Sequence, residues 1–227
     1  MKSLIEVLSC FRSLLIVMSL SALAADIFAS PPFSQSQTQT SEEAIQSTFS
    51  QYRKALLESD GSKAADLVDT RTIKLYDEIR TNALEMPRQK LSQLDFISKF
   101  MVLRVRHEFS KSQIEKMSGR ELFKLGVDKG WISASTVSNV ERLARIKIDL
   151  HKASASIPQA PNTPALYFLN ESGQWKLALW QSFEIANLAM KSEVEKSGLT
   201  EEEFVIKTID ALSSKKVDVR ILSGPLE

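Results

Sequence analysis

The spacing of apolar side chains switches from helical to strand-like part-way along this chain, and that switch limits the folds open to it. From residue 41 to about residue 130 hydrophobic residues recur every three or four positions, and from Ala144 they recur every second position. Ile45, Phe49, Tyr52 and Leu56 make one face of an amphipathic helix, opened by a capping box at Thr40-Ser-Glu-Glu43 and ended at Asp60-Gly61. Ala64, Ala65, Leu67 and Val68 predict a short second helix. Ile73, Tyr76, Ile79 and Leu84 predict a third, which stops before Pro87 because proline cannot continue the hydrogen-bond ladder. Leu91, Leu94, Ile97 and Met101, flanked by Phe96, Phe100 and Leu103, predict one longer fourth helix. Ser118-Gly-Arg-Glu121 is a second capping box before Leu122, Phe123 and Leu125.

In Ala144–His151 the residues Ile146, Ile148 and Leu150 share one face of a strand, opposite Arg145, Lys147, Asp149 and His151. Ala165–Leu169 and Trp175–Trp180 read as two strands joined through Asn170-Glu-Ser-Gly-Gln174, a hairpin loop. Both are apolar on both faces, so both faces need a cover: the N-terminal helices on one, and on the other the C-terminal helices, a second copy in a homodimer, or an envelope protein partner. Thr200 and Glu203 open a last helix through Phe204, Ile209 and Leu212, and alternation at Val217, Val219 and Ile221 predicts a final strand. The reading is a single α+β domain over 41–222, with a curved antiparallel sheet around N-terminal helices, extra helices in the middle and at the C-terminus, and a tail at 223–227.

The N-terminus reads as an address. Lys2 and Arg12 precede the apolar run Ser13–Ala24, which closes on Ala22-Leu-Ala24, the small-x-small pattern of a secretory signal peptide. Cleavage is expected after Ala24, with Ala29 as a second site, giving an exported periplasmic or secreted (bacterial) protein. Residues 25–40, rich in Ser, Gln and Thr behind Pro31-Pro32, read as a flexible spacer. The chain's one cysteine, Cys10, leaves with the signal, which removes disulfides and thiolate chemistry from the mature protein. With 29 basic and 28 acidic side chains, nucleic acid is not an expected partner. No run approaches the roughly 20 apolar residues of a membrane span, so no stable span is expected after signal removal.

Three helices followed by an antiparallel hairpin resemble the nuclear transport factor 2-like superfamily, which includes ketosteroid isomerase and polyketide cyclase relatives. The residues carrying the resemblance are Phe49-Ser-Gln-Tyr52, Ala55-Leu-Leu57, Asp60, Ala64-Ala-Asp-Leu67, Ala165-Leu-Tyr-Phe-Leu169 and Gly173-Gln-Trp-Lys-Leu177. It covers residues 41–84 and 141–185. The helical stretch from Gln89 to Gly130 is longer than the family usually carries, and helices follow the last hairpin. The resemblance implies a cone-shaped cavity and no particular activity, since members include isomerases, dehydratases, ligand binders and structural modules.

Within such a cone Tyr52, Tyr76, Phe49, Phe168 and Trp175 are the expected ligand-binding residues. A ketosteroid-isomerase-like reaction would need an oxyanion donor, supplied by Tyr52 or Tyr76, and a carboxylate, supplied by Asp66, Asp69 or Asp77. No phosphate loop, nucleophile elbow or His-Glu-x-x-His run is present. Asp149 and His151, two apart on one strand face, and His107 within Arg104-Val-Arg-His-Glu108 read better as solvated than as reactive groups. No cofactor and no metal are expected. The expectation is an exported non-catalytic module binding a small apolar ligand or a protein partner. The alternatives are a cofactor-free isomerase, lyase or hydrolase, or a structural subunit of an envelope assembly.

Overall fold

The structure, a computed structural model, describes residues 35–132 and 134–227. The signal-peptide and cleavage-site readings lie outside them. Seven helices come first: α1 (Gln35–Leu57), α2 (Gly61–Leu67), α3 (Thr70–Glu85), α4 (Arg88–Leu91), α5 (Phe96–Glu108), α6 (Lys111–Lys116) and α7 (Gly119–Asp128). Four strands follow, β1 (Arg145–Asp149), β2 (Lys152–Ile157), β3 (Ala160–Glu171) and β4 (Gln174–Leu177), paired antiparallel in the order β1-β2-β3-β4. Helices α8 (Trp180–Ser197) and α9 (Glu201–Leu212) complete the α+β architecture.

Helix α1 lies against the sheet because Ile45, Phe49, Tyr52 and Leu56 are buried on one side of it and Ala153, Ala155, Leu166, Phe168, Trp175 and Leu177 are buried on the sheet. The Thr48 hydroxyl donates to the Trp175 carbonyl at 2.9 Å and pins the helix to β4. The β3–β4 connection is a two-residue turn, Ser172-Gly173, with φ of 52° and 84°. Positive φ at both positions matches the twist of a hairpin, and glycine takes the second one freely. The Asn170 side chain accepts the Gly173 N–H and closes the turn. Helices α3 and α7 touch at Gly119, where a Cβ would stand 2.5 Å from the Asp77 nitrogen. Only glycine permits that approach.

Several local expectations are corrected. Helix α1 starts at Gln35, so Gln35–Thr40 belongs to a helix and Thr40 does not open one. The single helix expected from Leu91 to Leu103 is two, because Asp95 accepts the Ser98 N–H as N-cap and restarts the ladder at Phe96. Strand β2, Lys-Ala-Ser-Ala-Ser-Ile, is a strand the sequence does not predict, because alanine and serine give a faint alternation although Ala153, Ala155 and Ile157 are all buried. Trp180 begins α8 and does not end a strand. The last expected strand is a 3₁₀ turn, Val219–Leu222, whose Ile221 and Leu222 are buried. The residues beyond it are docked: Leu226 bridges Ser110, and its carbonyl accepts the Lys111 N–H at 2.9 Å.

One buried cation ties that C-terminal segment to the helices. Arg106 is wholly buried on α5 with no carboxylate beside it. Its guanidinium donates to the carbonyls of Asn82 (3.1 Å), Ala83 (2.8 Å) and Met86 (2.5 Å) at the C-terminal end of α3. It also reaches the carbonyl of Ile221 at 3.0 Å and, more weakly, that of Leu222 at 3.5 Å. The end of a helix supplies unsatisfied carbonyls and partial negative charge, which is what an unpaired guanidinium needs. Burial lowers its pKa to about 10, so it stays charged at neutral pH. Replacing Arg106→Met strands these carbonyls, and we expect a loss of roughly 3–5 kcal/mol in urea unfolding with little change in the slope against urea.

Candidate functional site

The five residues expected to line an internal cavity are packed into one continuous core. Phe49, Tyr52, Tyr76, Phe168 and Trp175 are all buried among the same apolar neighbours. Tyr76 meets Phe123 edge-on at 5.0 Å. The Tyr52 hydroxyl is buried without a hydrogen-bond partner. Burial pushes both phenols above their ordinary pKa, and for Tyr52 the neighbouring Tyr76 adds to the effect. Of the carboxylates expected to face them, Asp66 is exposed and pairs with Arg120, and Asp77 pairs with Arg80. Asp69 alone is buried, and its partners are Thr72 and Trp180.

The histidines separate. Strand β1 ends at Asp149, and Leu150 and His151 form the turn to β2, with Leu150 at φ 52°. Asp149 and His151 are both exposed. His107 is not a solvated helix end: it is buried, with Nε2 2.8 Å from the Ser213 hydroxyl just past α9. Arg104 on the same helix lies over the Trp131 ring at 4.7 Å and the Phe100 ring at 5.7 Å. Among the described residues no group of three or more His, Cys, Asp or Glu is placed to hold a metal ion.

A concave feature lies elsewhere, between α3, α8 and the start of α5, with a volume of ≈ 480 Å³. Both long helices begin at one junction. The Asp69 N–H donates to the Leu177 carbonyl at 3.0 Å, which joins the entry of α3 to the end of β4. Asp69 Oδ1 accepts the Thr72 N–H at 3.0 Å and the Thr72 hydroxyl, while the Trp180 indole N–H donates to Oδ2 at 3.1 Å. The Leu179 N–H donates to Thr72 Oγ1 at 3.1 Å, so α8 leaves from the same point. At the other end, the Asn187 side chain accepts the Ile97 N–H at 2.8 Å and holds the first turn of α5 against α8.

Helix α3 turns Arg71, Lys74, Leu75 and Glu78 into the cleft, and α8 turns in Trp180, Phe183, Glu184 and Asn187. Each set has the spacing i, i+3, i+4, i+7, one face of a helix. Asp95 and Ser98, from the start of α5, complete the lining. The Arg71 guanidinium lies 3.4 Å from the centre of the Trp180 ring, a close cation–π stack that holds the charged group in place. Met190 is the one fully buried residue of α8, and Ile185 and Leu188 on its outer side are 38% and 68% exposed. None of the five expected ligand residues lines the cleft. The two matching four-residue faces were present in the sequence, and the assignment of Trp180 to a strand concealed the second.

Comparison with known proteins gives no match of significance: no family model, no curated protein and no solved structure matches the chain. Among the described residues no helix is long and apolar enough to cross a membrane.

Two outcomes test this placement. Removing the unpartnered hydroxyl by Tyr52→Phe should raise stability by about 1 kcal/mol, read from the urea midpoint, because a buried polar group without a partner opposes folding. A tyrosine donating to a ligand would make the same change costly. For His107, burial lowers the pKa below its ordinary 6.5, reinforced by Lys215 and Arg104 and opposed by Glu108 and Asp210. The unfolded chain then takes up the proton first, so this histidine's share of stability is complete above about pH 6.5 and is lost as pH falls below it. Urea midpoints at pH 7.5 and pH 5 should therefore differ more for the wild type than for His107→Gln.

Proposed function

We propose that the protein is an exported, non-catalytic binding module of the nuclear transport factor 2-like type, and that its site is the cleft between α3, α5 and α8 and not the interior of the sheet. The observation that carries the reading is the apolar floor of that cleft. Leu75, Trp180 and Phe183 stay half-exposed in a concave surface while the aromatic residues expected inside the fold are packed among themselves. Half-buried aromatic rings ringed by a few polar groups are the usual make-up of a binding site. The volume, ≈ 480 Å³, suits a small ligand or a short segment of a partner protein.

The N-terminal address supports export, and the helices set against an antiparallel sheet support the family likeness. The expected test uses native mass spectrometry on protein purified from the cells that make it. Wild type should carry an additional mass that is released on denaturation, and Phe183→Asp should carry at least tenfold less of it while unfolding at the same urea midpoint. A mass retained in full by Phe183→Asp would place the ligand elsewhere, and bound mass lost only on disrupting Ile185 and Leu188 would favour the assembly-subunit alternative.

A further inference from the structure

The cleft is polar along its length, and its polarity identifies the class of ligand. Arg71 stands at the junction end, next to the start of α8, and Lys74 one turn further along α3. Glu78 stands two turns from Arg71 along α3. Arg71, Lys74 and Glu78 form no ion pair among the described residues. Seven helical residues at 1.5 Å each put about 10 Å between the two ends. Between them lie Leu75 and Phe183, with Glu184 beside them.

The geometry points to a short peptide with free termini, about three residues long, as the ligand of this cleft, its carboxylate held by Arg71 and Lys74 and its ammonium by Glu78. The assignment rests on the cleft being the binding site. An extended chain spans about 3.3–3.6 Å per residue, so three residues cover about 10 Å, whereas the two charges of a single amino acid are far too close to reach both ends. A guanidinium held 3.4 Å over the centre of an indole ring keeps its N–H groups free to act as a fork, the geometry that receives a carboxylate through two parallel hydrogen bonds. Lys74 adds a second positive charge to that end. Of the other lining carboxylates, Asp95 already accepts the Ser98 N–H and hydroxyl and Glu184 lies on α8 one turn from Trp180, which leaves Glu78 as the carboxylate two turns from Arg71 on α3. The middle of the ligand rests its side chain on Leu75 and Phe183, and Glu184 accepts a backbone N–H. A neutral apolar ligand would cover these charges without pairing them, which is costly. A dianion or a dication would meet like charge at one end.

The test is calorimetric titration of the intact protein with Ala-Leu-Ala carrying free termini, with its N-acetylated form and with its C-terminal amide. The free peptide should bind, and blocking either end should weaken binding at least tenfold. Arg71→Gln should shrink the difference between free and amidated peptide severalfold, Lys74 retaining the remainder, while preserving the difference between free and acetylated peptide. Glu78→Gln should do the reverse. Both side chains are exposed, and unchanged urea midpoints verify that the variants fold. Equal binding of free and blocked peptides overturns the assignment, as does the absence of binding by all three. If no peptide binds while Phe183→Asp still strips the natural ligand, the peptide class is wrong and the cleft stands. If Phe183→Asp also keeps that ligand, the cleft itself is wrong.

Discussion

The arrangement of the C-terminal half depends on a buried carboxylate that has no cation for a partner. Asp69 is wholly enclosed, and what stabilises its charge is the N-terminus of α3, the Thr72 hydroxyl and the Trp180 indole N–H. Each of those donors belongs to a different structural requirement. The Thr72 N–H is one of the orphan donors of a helix start, the indole is the first residue of α8, and the Asp69 N–H reaches back to β4. One residue therefore fixes where α3 begins and how the next helix departs through its side chain, and where the sheet ends through its backbone N–H. The cleft follows from this, because two helices that leave one point must open a groove between them as they separate.

Arg106 is the opposite case at the opposite end of α3. Its guanidinium takes the carbonyls that the helix leaves unpaired and gathers those of the 3₁₀ turn near the C-terminus as well. Both ions are thus matched to the partial charge of the helix end they face, an anion at the N-terminus and a cation at the C-terminus. This arrangement explains how two unpaired charges are tolerated inside so small a protein. It also makes α3 the element whose position decides the rest, since its two ends hold β4 with α8 on one side and α5 with the C-terminal segment on the other.

Much of this was legible in the sequence where side chains repeat strongly. Ile45, Phe49, Tyr52 and Leu56 announced α1, and the boxes at Ser118–Glu121 and Thr200–Glu203 marked the starts of α7 and α9 correctly. Small residues hid β2, because Ala and Ser alternate with little contrast in hydrophobicity. Asp95 was hidden by its neighbours: the apolar run on both sides of it spoke for one helix, and only the N-cap hydrogen bond breaks it in two. His107 misled for the same reason, since Arg104, Arg106 and Glu108 gave it a charged setting that the fold turns inward. For the site, the sequence identified which aromatic residues are buried and could not say whether they enclose a space. That depends on how helices and sheet close on one another, which is a property of packing and not of period.

The cleft has its polarity for a reason that begins with the same junction. Because α3 and α8 both start there, both helices direct the positive end of their dipoles to the side where Arg71 and Lys74 stand. At that end Asp69 already takes up the start of α3 from within the core, so the positive charge offered to the cleft is that of Arg71, Lys74 and the start of α8. The start of α5 also lines the cleft, but there Asn187 and Asp95 already accept the Ile97 and Ser98 N–H groups, and Glu78 forms no ion pair among the described residues. A face of four residues on each of two helices would by itself make a groove of any character. Joined head to head at Asp69, the two faces make one with a direction, and a ligand held in it has its orientation decided before any side chain of its own is read.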